Sequence, residues 1–229
     1  MSNTVRLAEL DILRGLAILL MVIFHTIFDL AFFYGWPLDY QAGFWYYQGK
    51  SAAILFMLVS GTSTVLSRRP VRRGLVVLAA GLFITAITYC YEPAVYIRFG
   101  ILHLLGAAML ASPLLNKAGP WTLSLIGTSM IAIGNVFSQL TVNTTWLIPF
   151  GLKPPGFTSL DYYPLLPWLG IILYGLVLGK VLYPAGQTRW PDAADYQPLR
   201  WLSWLGRRSL LIYLIHQPVI LALLQIIKP

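Results

Sequence analysis

The chain has 229 residues, of which 58% are hydrophobic and only 10% charged, with a mean hydropathy of +0.71. Soluble domains carry about 25% charged residues, so this composition excludes a soluble globular fold and predicts an all-α integral membrane protein. The net charge of +8 does not argue for nucleic acid, because no nucleic-acid motif accompanies it, and the single cysteine, Cys90, excludes an internal disulfide.

Seven apolar segments can be marked, at residues 10–34, 44–66, 74–91, 99–115, 121–140, 164–182 and 205–227. Each approaches the roughly 20 residues that cross a bilayer. They predict one domain over residues 1–229, a single bundle of about seven transmembrane helices. No small-residue cleavage site follows the first segment, so it is read as a retained anchor. Arg6, Arg68, Arg69, Arg72, Arg73, Lys117, Arg189, Arg200, Arg207 and Arg208 fall on one side if the N-terminus is cytoplasmic and the C-terminus outside. That side then faces the cytoplasm. Between the fifth and sixth segments, residues 141–163 contain Pro149, Pro154, Pro155 and Gly156. A helix is prevented there, and the loop is long enough to fold over a cavity mouth.

The first segment, LDILRGLAILLMVIFHTIFDLAFFY, breaks the apolar rule. At about 100° per residue, Asp11, Arg14, His25 and Asp29 share an arc of roughly 60°. Ionisable groups in a spanning helix face a bundle interior or a watery cavity. Arg14 and Asp11 also fit the interface, with Arg14 snorkelling to headgroups. His25 does not, since it lies about 16 Å deeper than Arg14. Asp29 stands at i+4 from His25, so its carboxyl group can reach one imidazole nitrogen. Such a contact fixes the tautomer and leaves the other nitrogen as a base, able to deprotonate a hydroxyl or amine that attacks an acyl group.

Elsewhere His103 is predicted at about the depth of His25 and His216 near the midplane, consistent with one polar pocket open to the outside. A hydrogen bond to a neighbouring helix is the plain alternative for either. Asp161 and Tyr162 are placed to contact an acceptor at the outer mouth, or to start a helix before Pro164. Two roles are open to Lys50, snorkelling or pairing with Asp29 or Asp39. Ser60, Gly61, Thr62 and Ser63 allow close helix packing, the favoured reading, or an opening for the thin arm of a cofactor. Arg68, Arg69, Arg72, Arg73, Arg207 and Arg208 suit the phosphates of a nucleotide cofactor, although orientation alone accounts for them. No metal set is read from the sequence.

Arg14 and His25 stand as R-x10-H, and the chain resembles the transmembrane acyltransferase type 3 enzymes in this respect. It resembles more specifically the bacterial membrane proteins related to heparan-alpha-glucosaminide N-acetyltransferase. The residues concerned are LDILRGLAILLMVIFH, LFMLVSGTS at 55–63, RFGILHLLG at 98–106, SLDYYPLLPWLGIILYGLVLG at 159–179 and LGRRSLLIYLIHQPVI at 205–220. The resemblance implies an acyltransferase that carries an acyl group, commonly acetyl, from cytoplasmic acyl-CoA to a sugar or glycolipid acceptor at the outer face. Acetyl-CoA would be the donor, and Arg14, His25 and Asp29 the catalytic group. The animal enzyme has Asn at the place of His25 and its active histidine later, near Trp36, where this chain has none. The histidine role therefore falls to His25. Two other readings stand beside this one, a haem-binding electron carrier and a carrier of lipid or lipid-linked sugar. Small-residue helix faces permit a homodimer.

Overall fold

The computed structural model describes residues 7–190, 193 and 196–227, and these are organised as helices. In order they are α1 (Ala8–Phe32), α2 (Gly43–Val65), α3 (Pro70–Tyr91), α4 (Ile101–Leu115), α5 (Pro120–Phe137), a 3-10 turn (Ile148–Phe150), α6 (Leu165–Leu182), α7 (Gln197–Arg207) and α8 (Ser209–Ile227). Five are long and apolar enough to cross a membrane: α1, α3, α5, α6 and Ser209–Ile226 of α8. The protein is an integral membrane protein. The seven expected segments are thus reduced to five that meet this measure. At 23 residues α2 is long enough, but Gln48, Lys50 and a run of serines and threonines make it polar. With 15 residues α4 reaches only about 22 Å. Arg6, used above for orientation, lies outside the described residues.

The chain forms two compact units, Met1–Val59 with Ala185–Pro229, and Ser60–Pro184; the boundary falls within α2. In the first unit α1 packs on α7 and α8. Glu9 and Asp11 occupy the first turn of α1, where the positive end of the helix dipole favours carboxylates. Glu9 is almost fully buried, and accepts from Thr188 Oγ1 at 2.7 Å and from the Arg189 N–H at 2.8 Å. The approach of α1 to α7 is set by two glycines. A β-carbon on Gly15 would strike the Leu202 carbonyl, and one on Gly206 would strike the carbonyl of Asp11.

The seventh expected segment, 205–227, is divided at Arg208, so residues 205–207 close α7 rather than open α8. Amphipathic α7 was not anticipated. Its signal was in the sequence: Pro198 in the first turn, then Leu199, Leu202, Ser203 and Gly206 at i, i+3, i+4 and i+7. Ser203 and Gly206 are buried, whereas Trp201 and Trp204 are exposed.

In the second unit α3 and α4 pair closely, as do α5 and α6. Gly74 lies against Met109 and Gly106, and Gly81 against His103, so α3 and α4 run antiparallel. Gly127 meets Gly170 and Gly134 meets Pro167, giving the same sense to α5 and α6. The predicted small-residue packing of the Ser60–Ser63 stretch is present: Thr62 Oγ1 donates to the Gly175 carbonyl at 2.9 Å, and Gly61 leaves no room for a β-carbon against Ile172 and Gly175. The loop before α6 is not loose. Leu160 N–H donates to the Val95 carbonyl (2.8 Å), Tyr163 N–H to that of Phe99 (3.0 Å), and Val142 N–H to that of Lys153 (3.1 Å). These bonds tie it to the α3–α4 connection and to itself.

Candidate functional site

His25, on α1, and His216, on α8, meet ring to ring, with centroids 4.6 Å apart and planes at 84°. The expected partner at the depth of His25 was His103; the structure brings His216 instead. Each ring is tethered to its own helix. His25 Nδ1 lies 2.9 Å from the Met21 carbonyl, and His216 Nδ1 2.6 Å from that of Tyr213. A carbonyl can only accept, so Nδ1 carries the proton in both rings and both Nε2 atoms keep their lone pairs.

The expected contact between Asp29 and His25 does not form. Asp29 is fully buried, and its Oδ1 accepts from Gln217 Nε2 at 2.6 Å. The imidazole bonds the Met21 carbonyl one turn back on its own helix, and the carboxyl group crosses to Gln217 on α8. The backbone therefore does what was expected of Asp29, fixing the tautomer. Among the described residues of this unit four polar side-chain atoms are buried without a partner: Asp29 Oδ2, Gln217 Oε1, His216 Nε2 and Gln48 Oε1. Gln48 itself joins α2 to α1 by donating from Nε2 to the Leu20 carbonyl at 2.8 Å. Gln217 carried no recognisable signal in the sequence beyond its place next to His216. With the two rings in direct contact, a porphyrin has no room between them, and bis-histidine ligation by this pair is geometrically closed.

Arg14 Nη1 pairs with Asp11 Oδ1 at 2.8 Å, one turn back on α1. Lys50 Nζ stands 5.5 Å from the centroid of the Tyr46 ring. Arg207 Nη1 donates to Ser203 Oγ at 3.0 Å, and the Arg208 guanidinium lies 4.4 Å from the Trp204 ring centroid. Both are exposed, as are Arg68, Arg69, Arg72 and Arg73 in the second unit.

His103 also belongs to the second unit, where both its nitrogens are occupied. Thr85 Oγ1 gives its proton to the Ile97 carbonyl (2.7 Å), so His103 Nε2 donates to that oxygen (3.2 Å), and Nδ1 accepts from the Gly100 N–H (3.2 Å). This is the hydrogen-bonded alternative described above. Asp161 Oδ2 accepts from the Ile101 N–H at 2.9 Å, capping the start of α4. Tyr162 OH donates to the Ile148 carbonyl at 2.8 Å, and burial pushes its phenol up to about 12. Asp161→Ala should cost about 1 kcal/mol, read as a melting temperature lower by roughly 2–4 °C; a raised acceptor KM with an unchanged melt would instead assign the carboxylate to binding.

A histidine base held by a backbone carbonyl, beside a second imidazole and unpartnered acceptors, suits proton abstraction. The family model "Heparan-alpha-glucosaminide N-acetyltransferase, catalytic" matches residues 6–218. The chain belongs to that family. Membership carries a membrane acyltransferase with it and spans both units, including His25, Asp29, His216 and Gln217. No curated protein and no solved structure matches the chain.

Proposed function

We propose that the protein transfers an acyl group, supplied as acetyl from cytoplasmic acetyl-CoA, to a hydroxyl or amine of a sugar-containing acceptor at the outer face. His25 is the general base. The observation that carries this is the Nδ1–H of His25 on the Met21 carbonyl, which leaves Nε2 ready to take a proton. As the acceptor oxygen or nitrogen attacks the thioester carbonyl, its proton passes to Nε2. The C–O or C–N bond forms, the C–S bond breaks, and the proton is returned to the departing CoA thiolate. Asp29 and Gln217 hold the acceptor, with His216 beside them. Arg14, in its pair with Asp11, holds the lower part of α1.

The arginine clusters, Arg68, Arg69, Arg72 and Arg73 in one unit and Arg207 and Arg208 in the other, offer the forks that bind CoA phosphates. Their charge also supports a cytoplasmic N-terminus and an outer C-terminus, in a bacterial inner membrane with seven crossings if α2 and α4 are counted. Incubation of the purified protein with labelled acetyl-CoA and a set of sugars and glycolipids tests the reading. Label is expected on an acceptor. Label that stays on CoA with every acceptor, in vesicles that move a lipid-linked sugar across the bilayer, would replace transfer by transport.

A further inference from the structure

An apolar groove of about 430 Å³ runs along the first unit, lined by Val22 and Thr26 of α1 and by Ile212, His216, Val219 and Leu223, among others, of α8. Thr26 adds no free polarity, because its hydroxyl donates to the Val22 carbonyl at 2.9 Å. The one remaining polar group in the wall is His216. This groove therefore combines a hydrocarbon surface with a titratable ring that touches His25.

One residue on from His216, Gln217 donates to Asp29 of α1, and among the described residues Asp29 Oδ2, Gln217 Oε1 and His216 Nε2 are buried without a partner. Each is a hydrogen-bond acceptor, given the donors already assigned. Leaving buried acceptors unmet is costly, so a bound group here must bring O–H or N–H donors. The groove and the acceptor cluster meet at His216, and together they describe an amphiphile.

We infer that the acceptor is anchored by a hydrocarbon chain, which lies in the groove between α1 and α8 while its donor-bearing head meets Asp29, Gln217 and His216. The acyl chain of the donor does not fit the same description. A thioester presents a carbonyl oxygen and a sulfur next to its chain, neither of which is a donor, so it cannot satisfy a cluster of acceptors. The bilayer gives such a chain direct access, since Ile215, Val219 and Leu223 on this side of α8 are all exposed and α8 is a membrane-crossing helix. This inference rests on the proposed transfer only for the identity of the head group as acceptor.

The test uses the full-length protein in lipid nanodiscs and two readouts. The first is photolabelling by a long-chain alkyl glycoside that carries a diazirine in its tail, with the labelled peptide identified by mass spectrometry. The second is acetyl transfer to that glycoside and to the corresponding free sugar. Label is expected on the peptide containing Val219 and Leu223. Val219→Trp, which fills the groove, should cut labelling at least fivefold and raise the KM for the alkyl glycoside. Leu211→Trp, on α8 and outside the groove, should leave labelling unchanged. Competition by excess alkyl glycoside, but not by palmitoyl-CoA, assigns the groove to the acceptor; competition by palmitoyl-CoA alone overturns the assignment. Labelling spread over all lipid-facing helices, or equal in Val219→Trp and the parent, also overturns it. Groove-specific labelling without transfer to any acceptor would uphold the amphiphile site and remove the enzymatic reading.

Discussion

His25→Ala should lower acetyl transfer at least 100-fold in a protein that elutes and melts like the parent. A positioned general base contributes roughly 10²–10⁴-fold, and His25 is tethered by Met21 with Nε2 unprotonated. The substitution removes no bond between helices, because the tether is to the same helix one turn back. Asp29→Asn is a useful companion. Its carboxyl group takes the Gln217 amide and does not hold the imidazole, so its loss should appear mainly in the acceptor KM rather than in kcat. Full activity in folded His25→Ala, or an equal fall in kcat for the two variants, would return the orienting role to the carboxylate or remove it from both.

The second large effect is on stability. Gly15→Leu or Gly206→Leu should destabilise the first unit by 3 kcal/mol or more, on the order of the upper range for overpacking a close interface. The cause is that the added β-carbons have no space: the Leu202 carbonyl occupies one position and the Asp11 carbonyl the other. Neither obstacle is a flexible side chain, so relief requires α1 and α7 to separate. Thermal unfolding in detergent should show a fall of roughly 6–12 °C, with more of the protein aggregated. Gly119→Ala, where nothing lies within 4 Å of the new carbon, serves as the control. Unchanged melting in both leucine variants would mean that the α1–α7 crossing is not as drawn.

Part of this was legible in the residues. The stripe of Asp11, Arg14, His25 and Asp29 followed from the 3.6-residue period, and three of its members are engaged as a polar stripe should be, Asp11 with Arg14 and Asp29 across to α8. Close packing at Ser60–Ser63 was read from small side chains and is seen against α6. Less visible was α7, because a helix of 11 residues lies below any spanning length and its apolar stripe uses Ser203 and Gly206 in place of large hydrophobic residues. The loop at 141–163 was correctly denied an α-helix, although Ile148–Phe150 forms a single 3-10 turn. Its two backbone bonds to Val95 and Phe99 were out of reach, since such pairings depend on how distant segments meet.

The sequence alone determined the solvent in which this protein lives, the helical class that a bilayer imposes on its backbone, and the polar face of the first span on which an imidazole lies. Periodicity and hydropathy are local quantities, and they suffice for that. Which groups face that imidazole was decided only by tertiary structure. The i+4 carboxyl group was the nearest candidate along the chain, yet the Met21 carbonyl and His216 took the ring, and the carboxyl group went to Gln217, both α8 partners lying about 190 residues away. A helix fixes the angle of a side chain about its own axis. The partner that satisfies it is selected by the neighbouring helix, which is not written in the spacing.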